Sequence, residues 1–263
     1  MRWRRSIFAV FLGSLPCILS SGSLSGSLSG SLYGSASGSA LAQAAAARPA
    51  PPPALRAAVP LLCTEKSGAA YTTIRGSGVI ADSGGTLLTA AHVILQAHLG
   101  CTLSVMVPEE EWTHAGRLRA FLLGACHLDQ PLDLAVCRIH PAESGRDWGY
   151  LRGARIGLRP AASGEPVWVT AFAGWGLLPL TRTGHITGLD LYRRQDGCLC
   201  DFATDITAIE GMSGSPVISS DGEVLGILTQ AGKGKFRGLS FGVSFAEARS
   251  FLATEGVIAS GRF

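Results

Sequence analysis

Short apolar runs separated by turn-forming residues fill most of the chain. In the first half they fall at residues 58–63, 71–81, 86–89, 101–107, 117–125 and 134–139, with Asp82-Ser83-Gly84-Gly85 as a turn between the second and third. In the second half they fall at 166–172, 180–191, 198–204, 217–219, 224–229 and 239–244, with a turn at Asp221-Gly222. Each run is strand length, and Gly, Asp and Ser punctuate the gaps. Regularly spaced short strands of this kind predict small β-barrels. The stretch 141–163 has fewer apolar runs and reads as the connection between two halves. Only residues 246–253 suggest a helix near the C-terminus, with Phe251 and Leu252 on its inner face.

The first 54 residues follow a different pattern. Met1-Arg2-Trp3-Arg4-Arg5 is a basic start, followed by an apolar run over 7–19 that Gly13, Ser14 and Pro16 interrupt. That run is too short to span a bilayer comfortably. Residues 21–32 are three copies of Ser-Gly-Ser-Leu, and Ala42-Gln43-Ala44 is a small-x-small cleavage signal. Together they predict a signal peptide over 1–44, cut before Ala45, with no stable membrane insertion afterwards. Residues 45–54, with Pro49 and Pro51-Pro52-Pro53, form an extended linker. The folded domain is expected over 55–263: a first barrel at about 55–140, the connection at 141–163 and a second barrel at 164–263.

Composition agrees with one exported unit. Hydrophobic residues make up 47% of the chain and charged residues 16%, with 34 glycines. The formal charge of +3 comes from Arg2, Arg4 and Arg5 in a leader without acidic residues, so the remainder is neutral. A neutral body gives no electrostatic case for binding nucleic acid or anionic lipid. Cys17 leaves with the leader, and Pro16 before it argues against a lipid anchor. Cys63, Cys101, Cys126, Cys137, Cys198 and Cys200 remain, an even number that predicts disulfides in an exported chain. Cys198 and Cys200 would share one face of a strand, so each is expected to bond elsewhere than to the other. The cysteine spacings fit no zinc pattern, and no metal or cofactor is expected.

The candidate chemistry centres on Gly211-Met212-Ser213-Gly214-Ser215-Pro216. A serine between two glycines, running into an apolar strand, suits a bend that exposes Oγ beside two converging backbone N–H groups. Earlier in the chain stand Gly76-Ser77-Gly78-Val79-Ile80, then Leu87-Leu88-Thr89-Ala90-Ala91-His92-Val93, then Pro131-Leu132-Asp133-Leu134-Ala135-Val136.

In these motifs the chain resembles the chymotrypsin-fold serine proteases, most closely the bacterial HtrA-type and glutamyl-endopeptidase-like branch. The likeness covers roughly residues 58–250 and continues through Thr204–Val217, and the motifs stand in the fold's order of His, Asp and Ser. The resemblance implies an all-β fold of two six-stranded antiparallel barrels packed together, with a short C-terminal helix. It assigns His92 as general base, Asp133 as the carboxylate that orients it and Ser213 as nucleophile, with the N–H groups of Gly211 and Ser213 as the oxyanion hole. It also places Thr207, Ala208, Ile209, Ile227, Leu228 and Thr229 around the substrate's primary side chain.

Two departures stand out. Met212 replaces an asparagine usual in the family, outside the three catalytic positions. The sequence ends at Phe263, before any PDZ domain such as many HtrA proteins carry. The expectation is therefore a periplasmic or secreted serine endopeptidase acting on polypeptides. The alternatives are a catalytically silent binding protein on the same fold, or an acyl hydrolase acting on small esters. Of the other histidines, His98, His114, His127 and His140 are expected at the surface, and His185 on a strand as a satisfied polar residue.

Overall fold

The structure is a computed structural model, which describes residues 56–65, 72–97, 101–109, 117–140, 153–173, 177–189, 192–193 and 199–259. The leader, the linker and most of the connection lie outside these residues.

The first six strands are β1 (Ala58–Glu65), β2 (Thr72–Ile80), β3 (Thr86–Ala90), β4 (Cys101–Pro108), β5 (Leu118–Asp129) and β6 (Leu134–Ile139). They close into a barrel in the order β1-β2-β3-β6-β5-β4, with every pairing antiparallel. Closure removes the unpaired edges that an open sheet of this size would leave. Two disulfides lock neighbouring strands of this barrel. Cys63 on β1 joins Cys101 at the start of β4, and Cys126 on β5 joins Cys137, its direct partner on β6. Links of this kind contribute about 2–4 kcal/mol by restricting the unfolded chain.

The second half supplies β7 (Arg155–Ile156), β8 (Pro166–Ala171), β9 (Leu180–Gly188), β10 (Tyr192–Arg193), β11 (Leu199–Cys200), β12 (Phe202–Thr204), β13 (Pro216–Ser219), β14 (Glu223–Ala231) and β15 (Ser240–Ser244). Strands β13-β8-β9-β12-β15-β14 form a ring that the β13–β14 pairing closes, giving the second six-stranded barrel. The two-residue β7 adds in parallel to the start of β14, and β10 pairs with β11 as a separate ribbon.

Alternation along the strands feeds two hydrophobic clusters. On β8, Val167 and Val169 face the interior of the second barrel with Ile186, Phe202, Val217 and Leu228. Trp168, between them, packs with Ile218, Ile227, Val243 and Phe245 in a cluster continuous with the first barrel's interior residues Leu61, Leu88, Val105 and Phe121. One core therefore runs from inside the first barrel across the junction between the two. Each aliphatic side chain so buried contributes about 1.5–3 kcal/mol relative to an exposed one.

The structure differs from the sequence reading in four places. A seven-residue helix, α1 (Ala91–Ala97), follows β3 where no helix was expected. Strand β7 lies inside the stretch read as connection. The run at 198–204 divides at Asp201 into β11 and β12. The Asp201 N–H donates to Gly242 O, while its carboxylate accepts the Ser244 N–H at 2.7 Å and the Ser244 hydroxyl. Burial pushes the Asp201 carboxyl above its usual range against these hydrogen bonds. The C-terminal helix α2 (Arg249–Thr254) begins later than 246, because residues 245–248 form turns in which the Ala248 N–H donates to Ser244 O. Leu252 is fully buried and Phe251 packs beside it, as the inner-face reading required.

Candidate active site

Asp133 is the only non-glycine residue with positive φ (53°) among the described residues. Aspartate is one of the few side chains that visit this region routinely. A turn sets it up: Leu132 N–H donates to Asp129 Oδ1 at 3.1 Å and Asp133 N–H to Gln130 O at 3.1 Å. Asp129 thus serves the turn.

From that turn Asp133 takes over the start of α1. Its backbone O accepts the Ala91 N–H at 3.0 Å, and its Oδ1 accepts the His92 N–H at 2.9 Å. These are first-turn donors that a helix cannot satisfy itself. The second carboxylate oxygen, Oδ2, lies 2.8 Å from His92 Nδ1. One carboxylate therefore holds both the backbone and the ring of His92. With a carboxylate acceptor at Nδ1 the imidazole proton sits there, leaving Nε2 as a lone-pair base. The Asp133 side chain is 4% exposed and that of His92 27% exposed, so the carboxylate is sealed while the ring reaches solvent.

Ser213 arrives from the other barrel on a turn whose peptide bonds are all trans. In a trans unit C=O and N–H point in opposite directions. Gly211 O accepts a hydrogen bond from Ser77 Oγ at 2.9 Å, and the Met212 N–H of that same unit donates to Ile209 O at 3.1 Å. Ser213 O accepts the Ser77 N–H at 2.8 Å, and the Gly214 N–H of that unit donates to Leu228 O at 2.7 Å. Met212 O accepts the Ser215 N–H at 3.1 Å, which turns the Ser213 N–H the opposite way. Neither the Gly211 N–H nor the Ser213 N–H donates to any group among the described residues. These two donors are the ones expected to face a developing oxyanion.

The glycines make this turn possible. Gly211 has φ 93°, and a Cβ there would lie 2.6 Å from Phe172 O. Gly214 has φ 82°, and a Cβ there would overlap Ser77 O and Thr89 Oγ1 and come within 3.0 Å of Ala90 N. The Ser213–Gly214 backbone therefore packs directly on the β3–α1 junction, two residues from His92. No hydrogen bond joins Ser213 Oγ to His92 among the described residues; in resting sites this contact is often long and tightens with substrate.

The six expected pocket residues divide into two groups. Thr207 is exposed with its Oγ1 3.4 Å from Gly238 O, Ala208 is half-buried, and Ile209 is 44% exposed. Ile227 and Leu228 are fully buried and pack into the two different hydrophobic clusters. Thr229 is buried with Oγ1 3.5 Å from Cys200 Sγ. The side chains of Ile227 and Leu228 therefore belong to the core, and the Leu228 backbone is bonded within the fold, its C=O accepting from the Gly214 N–H and its N–H donating to Ser215 O. Glu210, beside Gly211, is exposed. Met212 fills the second barrel's core, and its Sδ accepts the Ile209 N–H at 3.3 Å.

His185 has an arrangement parallel to that of His92. Its N–H donates to Asp205 Oδ1 at 2.7 Å and its Nδ1 lies 3.3 Å from Asp205 Oδ2. That backbone N–H, and then the ring, hold the Asp205 carboxyl below its usual range. Both side chains are open to water, at 58% and 45% exposure. His127 is an exposed partner of Glu255 and His140 is exposed, while His98 and His114 lie outside the described residues. Among the described residues no cluster of three or more His, Cys, Asp or Glu suits a metal ion.

Sequence reasoning missed Ser77 and Thr89, although both stand inside motifs that it singled out. Their partners here are mostly backbone atoms, which carry no residue-type signal.

Comparison with known proteins places the chain in a family. A domain signature described as "Trypsin-like peptidase domain" matches residues 76–227. The chain is 28% identical over 184 residues to the putative serine protease HhoA of Synechocystis, covering 68% of this chain and 42% of that protein. It is 30% identical over 172 residues to a probable periplasmic DegP-like serine endoprotease of Halomonas elongata, covering 64% and 32%. It is 27% identical over 188 residues to the magnetosome formation protease MamE of Paramagnetospirillum magneticum, covering 68% and 23%. The chain thus spans less than half the length of each of these curated relatives. The crystal structure of the MamO protease domain from Magnetospirillum magneticum, in its apo form, superposes with a TM-score of 0.58 at 19% identity, covering 76% of this chain and 97% of that one. That last likeness concerns the fold alone.

Proposed function

The chain belongs to the trypsin-like peptidase family, in its HtrA-like branch, and from that premise we propose that it is a serine endopeptidase whose triad is His92, Asp133 and Ser213. The observation that carries this reading is the double engagement of His92 by Asp133, at backbone and ring, beside the turn that bears Ser213. His92 Nε2 takes the hydroxyl proton as Ser213 Oγ attacks the scissile carbonyl. Asp133 stabilises the imidazolium that results. The Gly211 and Ser213 N–H groups receive the oxyanion. His92 then passes the proton to the leaving amine, and water, activated by the same imidazole, releases the acyl group. Each step uses these side chains, two amides and water. The test is labelling of the exported protein with a fluorophosphonate, together with casein hydrolysis. Failure of both would leave a silent binding protein on a protease fold, and ester cleavage without casein cleavage would favour an acyl hydrolase.

The primary specificity follows from what the pocket lacks. Thr207 stands six residues before Ser213, where the trypsin branch keeps an aspartate for lysine or arginine. Gly226-Ile227-Leu228 lacks the histidine that partners a substrate carboxylate in glutamyl endopeptidases. A charged side chain entering there would lose hydration without a counter-charge. Small or medium aliphatic residues before the scissile bond are therefore expected, with a broad profile, because one methylene discriminates by only about 1–3 kcal/mol. A peptide-library cleavage profile checks this, and a dominant Arg, Lys or Glu would overturn it.

Export is the remaining element. The leader motivates it, and so do two disulfides, a bond type that persists in oxidising compartments. Among the described residues no helix is long and apolar enough to cross a membrane. The mature protein is expected to begin at or near Ala45 and to hold at least two disulfides. N-terminal sequencing that returns Met1 from exported material, or titration of all six cysteines as thiols, would reject it.

A further inference from the structure

Ser77, on β2 of the first barrel, is fully buried and uses every polar group that it has on or around the nucleophile turn. Its N–H donates to Ser213 O at 2.8 Å, and its C=O accepts the Thr89 hydroxyl at 2.7 Å. Its Oγ lies 2.9 Å from Gly211 O and 2.8 Å from Phe172 N. The direction of these last two bonds is forced. A peptide N–H can only donate and a carbonyl can only accept, so the hydroxyl accepts from Phe172 and its one proton goes to Gly211 O. Phe172 and Gly211 both belong to the second barrel, which makes this hydroxyl a polar cross-link between the barrels at the nucleophile.

We propose that Ser77 is a positioning residue for catalysis: its hydroxyl sets the plane of the Gly211–Met212 peptide, and through it the aim of the Gly211 N–H at the oxyanion. The proposal rests on the reading of Ser213 as nucleophile. Gly211 has no side chain to restrain its own torsions. The two anchors of the peptide that follows it are the Ser77 hydroxyl on the Gly211 carbonyl and the Ile209 carbonyl on the Met212 N–H, and the Gly211 N–H, in the preceding peptide, is joined to this unit through the Gly211 Cα. Removing the hydroxyl leaves Gly211 O and the Phe172 N–H buried without that partner, and the turn can relieve both by rotating. The oxyanion donor then loses its aim while the substrate-binding surface stays unchanged, so the loss appears in the transition state rather than in ground-state binding.

The test uses the exported protein and a chromogenic peptide anilide with an aliphatic residue before the anilide. Ser77→Ala is expected to lower kcat about tenfold to a hundredfold, below the ~100- to 1,000-fold cost of deleting an oxyanion donor outright, with KM within about threefold. Affinity for a peptide aldehyde, whose adduct with Ser213 is tetrahedral, should fall in parallel, and affinity for the corresponding alcohol should not. Ser219→Ala, which removes a buried hydroxyl bonded to Asp221 and Glu223 at the far end of β13, should lower Tm without lowering kcat. If Ser77→Ala does not fold, Ser77→Cys, with a thiol that donates only weakly, is read in the same assays. A folded Ser77 variant with wild-type kcat, or one that raises KM alone, overturns the proposal. Wild-type cleavage by Ser213→Ala would instead overturn the nucleophile assignment beneath it.

Discussion

Replacing Ser213 with alanine is expected to lower turnover by about a million-fold while leaving the fold intact. The Ser213 hydroxyl makes no hydrogen bond among the described residues, and the turn is held by the backbone groups of Gly211, Met212, Ser213 and Gly214 and by Ser77. The substitution therefore removes the nucleophile and little else, and thermal unfolding should shift by no more than a few degrees. His92→Ala should cost a similar factor, and the double variant should be no worse than either single one, because members of a triad act as a unit. Casein hydrolysis and steady-state cleavage of a peptide anilide measure the effect. Proteolysis by Ser213→Ala near the wild-type rate would sink the assignment of the whole site.

Asp133→Asn is the second large effect, at about 10,000-fold in kcat. Asparagine tolerates the positive φ of this position, and its carbonyl oxygen can still accept the His92 N–H. Its amide group, however, presents donors to His92 Nδ1 where the carboxylate presents an acceptor. The ring must then carry its proton on Nε2, and the lone pair facing Ser213 is lost. Asp133→Ala should reduce activity by a comparable factor for an additional reason. It also loses the acceptor for the His92 N–H and forces a Cβ-bearing residue without a polar side chain into the left-handed region, at about 1–2 kcal/mol for the backbone alone. Urea denaturation should thus separate the two variants although their kcat values fall together. Wild-type turnover by Asp133→Asn would remove Asp133 from the mechanism.

Much of this was legible in the sequence because the relevant signals are local. Strand-length apolar runs with Gly and Asp between them located most of the barrel strands, and three short motifs located His92, Asp133 and Ser213. Signals that are short or depend on distant backbone were not legible. Helix α1 is seven residues long, too few for a period of 3.6 to stand out, and its first N–H groups are satisfied by Asp133, 41 residues away from His92. Strand β7 is two residues whose pairing with β14 is parallel and remote. The burial of Ile227 and Leu228 was not legible either. A bulge at Leu225 breaks the register between β13 and β14, and another at Thr229 breaks it between β14 and β15, so simple alternation does not say which way Ile227 and Leu228 point. The role of Ser77 depends on atoms 95 and 134 residues further along the chain.

The two histidine–aspartate pairs would be told apart in a proton NMR spectrum. Both imidazoles lean on a carboxylate through Nδ1, so both are candidates for a strongly deshielded ring proton. Exchange with water erases such a signal where the pair is open, as at His185 and Asp205. It spares the signal where the carboxylate is sealed, as at Asp133. Among the histidines of the described residues a single low-field resonance is therefore expected, belonging to His92. Its displacement on covalent labelling of Ser213 would report the change at the ring directly, since no His185 signal overlaps it.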